Sequence, residues 1–325
     1  MAKTVRVAIS GGEGADDEPL ALHFIDGRTH ECDVLIGADG IHGRQFRQFW
    51  STQVHSTVRK FILGEDDPAL SPRDTGLWAV VALEPYAVAQ ASLGEGLVNI
   101  EDAREYSWVG DGAYLMHNVL SQGELVQFII SSEAKSMPDS WYRTVSAEHI
   151  RKLYENWPPH LSKALLCDQP QQPAMYLWVH LPARTYVSGP KCVIGDAAHA
   201  TTPWQGSRAG MSIEDSLVIS TLLGRSKNRE EALVALKTYD EARRPRTQRI
   251  IQSSRATGVI EMGRGDETGL NLDRLRQKLL PRWDFIIDFD NEKHVAEAVE
   301  VMKRRLSTSK NILKSQHLNG YVRDI

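Results

Sequence analysis

No apolar run in the chain approaches the roughly 18 residues that a membrane-spanning helix needs, and the first residues show no basic-then-apolar leader pattern, so no membrane span is expected. Cysteine is scarce. Cys32, Cys167 and Cys192 form no C-x-x-C pair, which excludes a thioredoxin-type or zinc-ribbon framework and suits reduced thiols in a cytoplasmic protein. The eleven histidines never take H-E-x-x-H spacing, so no metal site is expected. The net charge of −4 leaves no basic footprint, and a nucleic-acid partner is not expected. Repeats and low-complexity tracts are missing too.

What is present is an ordinary globular composition. With 325 residues, 42% hydrophobic and 25% charged, the chain can build one or two cores. The most informative stretch begins at Lys191. Cys192 to Ile194 is a short apolar run that reads as a buried strand, and Gly195 permits a sharp turn that delivers Asp196 at the strand end. Pro203 and Gly206 mark a loop, and Gly210 allows close backbone approach where a helical pattern starts. Met211, Leu217, Val218, Ile219, Leu222 and Leu223 make that helix apolar over most of its surface, with Gly224 as its stop. A strand, an acidic turn and a glycine-containing loop feeding a helix can hold an anionic or electron-rich ligand through unpaired amides.

Gly195-Asp196-Ala197-Ala198-His199, with Pro203, Gly206 and Glu214-Asp215, resembles the second FAD-binding motif of class A flavoprotein monooxygenases. Upstream, Asp33-Val34-Leu35-Ile36-Gly37-Ala38-Asp39-Gly40-Ile41-His42 is similar to the Asp-Gly motif of the same family. Arg243-Arg244-Pro245-Arg246 resembles its closing segment, where another long helix begins. The subgroup that fits best is the salicylate-hydroxylase-like enzymes, many of them fungal. The resemblance implies an α/β (α+β) fold: a partial Rossmann-like FAD-binding domain, an inserted β-sheet substrate domain and C-terminal helices.

On that reading residues 1–56 belong to the FAD-binding domain, 57–185 form the β-rich substrate domain, 186–250 return to the FAD-binding domain, and 251–325 are a helical region. Within the β-rich part, strand-like runs cover Leu77 to Leu83, Leu97 to Ile100, Tyr114 to Val119 and Leu125 to Ser131. The aromatics gathered there read as core. Trp141 to Trp157 reads as a helix ended by Pro158-Pro159, and His294 to Leu306 as an amphipathic helix.

The family's phosphate-binding turn, G-x-G-x-x-G after a first strand, has no counterpart here. Gly11-Gly12-Glu13-Gly14, followed by Asp16 and Asp17, lies between two alternating runs and reads as a hairpin turn whose acids would repel a phosphate. The resemblance therefore implies that roughly a hundred residues of nucleotide-binding fold would precede this segment. Gly43, beside Arg44 and Arg47, stands where the family has a serine, then an arginine, opening a helix. Ser207-Arg208 also departs from the pattern, because the long cation of Arg208 stands where glycine is usual.

The resemblance implies FAD as cofactor and NAD(P)H as electron donor, with O2 and a small aromatic substrate as partners. The reduced flavin would activate dioxygen for hydroxylation of an electron-rich ring. Asp196, Gly206 and Gly210 would meet the flavin end, with Asp39 and Gly40 toward the ribose and pyrophosphate. No catalytic base is assigned, and His199 reads equally well as a packed, turn-stabilising residue. Two functional readings stand: a flavin-dependent aromatic hydroxylase of secondary or aromatic-acid metabolism, and a truncated, non-catalytic relative that serves as a scaffold or interaction protein. A reductase, epoxidase or halogenase with the same flavin motifs stays open, because fold does not fix reaction.

Overall fold

The computed structural model describes residues 7–10, 19–24, 26–41, 56–99, 101, 104–135, 140–164 and 170–320. The chain forms two compact units. One comprises Met1–Arg73, His180–Ser254 and Asp284–Ile325, and the other Asp74–Val179 and Arg255–Trp283. Residues 57–73 and 180–185, expected in the β-rich region, fold with the first unit. Residues 255–283, expected among the C-terminal helices, fold with the second. The reason lies in the packing: Ile62, Leu63, Ala69, Ala183 and Tyr186 join one core with Cys192, Val193 and Leu236.

The first unit contains two small sheets. Strands β1 (Val7–Ser10), β2 (Leu20–Phe24) and β3 (Thr29–Cys32) form an antiparallel meander. The turn between β1 and β2, with Gly11 to Asp17, lies outside the described residues. Strand β4 (Leu35–Gly37) belongs to the other sheet. β3 and β4 are divided at Asp33-Val34, because Cys32 pairs with Leu20 while Leu35 pairs with Lys191. The second sheet is completed by β11 (Val187–Ser188) and β12 (Lys191–Val193), with β12 parallel to β4 and antiparallel to β11. A parallel pair of this kind requires a long crossover, and here more than 150 residues of sequence separate its two strands.

Around this sheet stand α1 (Thr57–Leu63), α5 (Asp196–His199), α6 (Arg208–Leu223), α7 (Arg229–Glu261) and the long terminal helix α10 (Asn291–Gly320). Val299 and Met302 of α10 and Val218, Ile219 and Leu222 of α6 share the core. Burial on α6 is one-sided, contrary to expectation: Met211, Asp215, Val218, Ile219 and Leu222 face inward at helical spacing, while Ile213 and Leu217 are exposed. Helix α7 does not restart at Pro245 but runs through it. A proline inside a helix costs about 3 kcal/mol. Arg243 and Arg246, on either side of it, are each held by buried or half-buried carboxylates, and those charge-assisted bonds offset the loss.

The second unit is built on a six-stranded antiparallel sheet. Its strands are β5 (Arg73–Pro85), β6 (Glu105–Val109), β7 (Ala113–Leu120), β8 (Leu125–Glu133), β9 (Tyr142–Ser146) and β10 (Gln171–Val179), in the order β6-β7-β8-β5-β10-β9. Helices α2 (Tyr86–Leu93), α3 (Ala147–Leu153) and α4 (Pro159–Ala164) contribute to its core, with α8 (Leu272–Leu279) also in this unit and α9 (Asp284–Ile287) in the first. Leu97 to Asn99 is not a strand: the amides of Leu97 and Val98 bond Gly94 O behind α2. The expected helix from Trp141 to Trp157 is half strand. Residues 142–146 pair with β10, and the Ser146 hydroxyl then caps α3 by accepting from His149 N at 3.1 Å.

Candidate flavin site in the first unit

The site is organised where β12 ends. Gly195 takes φ 60° and ψ −145°, a conformation open essentially to glycine alone. A Cβ there would lie 3.0 Å from Ser212 Oγ. The Gly195 amide donates to Asp215 Oδ2 at 2.9 Å, which aims the following residue, Asp196, outward at the start of α5. Asp196 is partly exposed and is paired with Arg208, whose Nε lies 3.3 Å from Oδ1 while Nη2 contacts Oδ2.

Beyond α5, Pro203 to Gln205 make a short 3-10 turn that ends on Gly206 in the left-handed conformation. Helix α6 then opens with no side-chain cap and no acid in its first turn. A Cβ on Gly206 or Gly210 would meet nothing within 4 Å, and both glycines are exposed. The Gly206 amide donates to Pro203 O at 2.9 Å, so the free backbone donors are those of the first turn of α6, Arg208 to Gly210; beside a carboxylate they can hold an electron-rich ring edge and an adjoining hydroxyl.

Behind this edge lies a buried ionic network. Asp215, fully buried, accepts from Gly195 N, from His199 Nε2 at 2.5 Å and from Arg243 Nε at 2.8 Å. Burial pushes its carboxyl upward, but His199 and Arg243 outweigh that and hold it below the usual range. Glu214 lies 2.7 Å from Arg243 Nη1 and accepts both Nε and Nη2 of Arg246. Its carboxyl, too, is lowered against the effect of burial. His199 is therefore a clamp in the core; it does not face solvent.

Asp39 and Gly40 stand after β4. Asp39 accepts from Ser56 Oγ at 2.5 Å and from Thr57 N at 2.6 Å, so its carboxylate holds the start of α1. Gly40 has φ +72°. A serine and an arginine, Ser56 and Arg59, open α1. The Ser56 hydroxyl accepts from Arg59 N at 3.0 Å. Gly43, Arg44 and Arg47 lie outside the described residues. Arg59 is fully buried and donates to Ala69 O, Ala197 O and Ala198 O, tying α1 to the end of α5, and burial lowers its guanidinium to about 10. Its role is not legible in the local sequence, because two of its partners, Ala197 and Ala198, lie about 140 residues further along the chain.

The model of the FAD binding domain matches residues 25–254, well over half of the chain. The chain is 35% identical to 6-methylsalicylate 1-monooxygenase of Aspergillus terreus, over 86% of this chain and 59% of that one. It is 30% identical to an FAD-dependent monooxygenase of Aspergillus niger, over 94% and 69%. The chain belongs to the FAD-dependent aromatic monooxygenases. It spans about three fifths of the length of the Aspergillus terreus relative. Among solved structures, a salicylate hydroxylase bound to substrate superposes with a TM-score of 0.75 at 24% identity, covering 90% of this chain and 70% of that one, which is a likeness of fold.

As a member of this family the chain is expected to meet FAD, and the residues present fit the flavin end of that group. The free amides of the first turn of α6, up to Gly210, and the partly exposed Asp196 supply donors and an acceptor in one place. Of the five residues singled out from sequence, Asp196, Gly206 and Gly210 gather on this edge. Asp39 and Gly40 follow β4, the strand paired with β12, with the Asp39 carboxylate already engaged by α1. Among the described residues, no group of three His, Cys, Asp or Glu side chains is placed to hold a metal ion.

Proposed function

We propose that this chain forms the body of a cytoplasmic FAD-dependent monooxygenase that hydroxylates a phenolic or salicylate-like substrate with NAD(P)H and O2, in secondary metabolism. The observation that carries this reading is the pairing of an uncapped, acid-free α6 start with Asp196 at the end of β12. The names of relatives support the substrate class: 6-methylsalicylate for the Aspergillus terreus enzyme and salicylate for the Pseudomonas putida hydroxylase, which is 30% identical over 91% of this chain. When bound, FAD would supply the redox chemistry, taking electrons from the nicotinamide and using dioxygen to oxygenate the ring, with the second oxygen atom leaving as water.

The chain's own residues bind and orient. Asp196 accepts a hydrogen bond from a hydroxyl of the ribityl chain. The free amides of the first turn of α6, up to Gly210, would donate toward the ring edge on which negative charge develops, with the α6 dipole adding to the attraction and Gly206 shaping the loop that leads there. Asp39 and Gly40 set the backbone on the nucleotide side. Asp215 and His199 keep Gly195 folded so that this edge is ready before binding.

Removing the Asp196 carboxylate tests the reading. A charge-assisted hydrogen bond contributes about 1.5–3 kcal/mol, so Asp196→Ala should weaken flavin binding at least tenfold, read by absorbance and by quenching of flavin fluorescence. Unchanged flavin affinity would reduce Asp196 to a turn residue. Conversion of salicylate or 6-methylsalicylate to a hydroxylated product, followed by mass spectrometry with NADH and NADPH in turn, tests the substrate class and the donor.

A further inference from the structure

Arg208 is the first residue of α6, and its guanidinium is folded back onto Asp196 through both Nε and Nη2. A cation in the first turn of a helix faces the positive end of the dipole, an unfavourable place for it. Its partner compensates. The pair is partly exposed on both sides, 41% for Arg208 and 30% for Asp196, so nothing in the packing forces Arg208 into this position. The two side chains together carry no net charge, so the closed pair gives the site an occupied carboxylate and no standing positive charge.

We infer that the Arg208–Asp196 pair is a self-occupying latch on the flavin edge: Arg208 competes with the ribityl hydroxyls for the Asp196 carboxylate and sets how tightly the flavin is held. The inference rests on the flavin reading above and assigns a role to a side chain that reading leaves unused. The chain must open or share the ion pair whenever a hydroxyl donor approaches Asp196, because a guanidinium offers donors only and cannot itself accept from that hydroxyl. Opening costs little at this exposure, so the latch tunes affinity without abolishing it.

Two opposing expectations make the test decisive. If Arg208 merely attracted the anionic cofactor, Arg208→Gln would weaken binding. As a latch, its loss should tighten binding, by up to about fivefold for a pair this exposed. The 325-residue chain and Arg208→Gln are titrated with FAD, with riboflavin and with ADP, reading flavin fluorescence for the first two and calorimetry for the third. The latch requires tighter binding of both FAD and riboflavin by the variant and no gain for ADP, which lacks the ribityl chain. For the unsubstituted chain alone, raising salt from 50 to 500 mM should strengthen riboflavin binding, because screening loosens the pair. Weaker or equal riboflavin binding by Arg208→Gln overturns the latch while leaving the flavin reading intact. Failure of both proteins to bind either flavin overturns the flavin reading and the latch with it.

Discussion

Asp215 in the first unit and Glu261 in the second are both buried carboxyl groups, yet they shift in opposite directions. Asp215 is met by a backbone amide, an imidazole and a guanidinium, and its carboxyl is held low. Glu261 is 2% exposed, and its Oε2 has no hydrogen-bond partner. Burial pushes it well above the usual carboxylate range, Glu105 adds to the rise, and Arg282 opposes it only weakly. Burial alone always penalises the charged form, so the number of donors decides whether a buried acid stays ionised. The first unit spends its buried charge on fixing the turn at Gly195, whereas the second relies on an apolar sheet core of residues such as Trp78, Leu115, Phe128 and Ile130.

The largest break in this comparison comes from Asp215→Ala. It leaves the fully buried Arg243 with Glu214 as its one carboxylate and frees both His199 and the Gly195 amide. Removing one partner of a buried pair costs about 3–5 kcal/mol, and urea unfolding followed by circular dichroism should show a loss of that size. Gly195→Ala comes next. Its backbone conformation and the 3.0 Å approach to Ser212 Oγ predict a loss of about 1–3 kcal/mol by the same measurement. Flavin affinity should fall alongside, because the turn that presents Asp196 is distorted.

Glu261→Gln gives the smallest effect and the opposite sign. A carboxyl whose folded value lies above its ordinary 4.5 contributes stability that is complete below 4.5 and declines as pH rises toward the folded value. The wild-type chain should therefore lose stability through this group as pH rises above 4.5. The glutamine variant, which cannot ionise, should gain on the wild type as pH rises above 4.5 and nothing at pH 4. Asp215 has the reverse dependence, stabilising above its ordinary 3.8 and losing that contribution as pH falls. Thermal melts of the two variants across pH 3–8 should consequently diverge at opposite ends. Parallel curves would show that the donors around Asp215 and their shortage around Glu261 make no difference.

Much of the candidate site was legible because it is local. Gly195, Asp196, Gly206 and Gly210 are read from one short stretch, where glycine and proline punctuate an apolar strand and a helix. The strand-like runs at Leu77 to Leu83, Tyr114 to Val119 and Leu125 to Ser131 lie within β5, β7 and β8, since alternation is a property of adjacent residues. The helix expected from Trp141 was misread because the helical spacing of Ile150, Leu153 and Tyr154 was carried back over residues 142–146, where only the neighbouring β10 selects the strand. The break at Pro245 was misread for a related reason: proline predicts an end, and the ion pairs of Arg243 and Arg246 reach back to α6 from across the chain.

By itself the sequence determined the order of the elements, the glycine turn with its outward aspartate, and the family to which the chain belongs, all of which depend on residue type at short spacing. Only the tertiary structure decided the partners. Leu35 and Lys191 become neighbours through a parallel pairing, Arg59 meets the carbonyls of Ala197 and Ala198, and Asp215 receives three donors from separate segments. The same holds for the saturation of Asp39 by α1 and the capture of Asp196 by Arg208. A carboxylate's chemistry is set by which donors reach it and how much water remains, and those are properties of the folded chain alone.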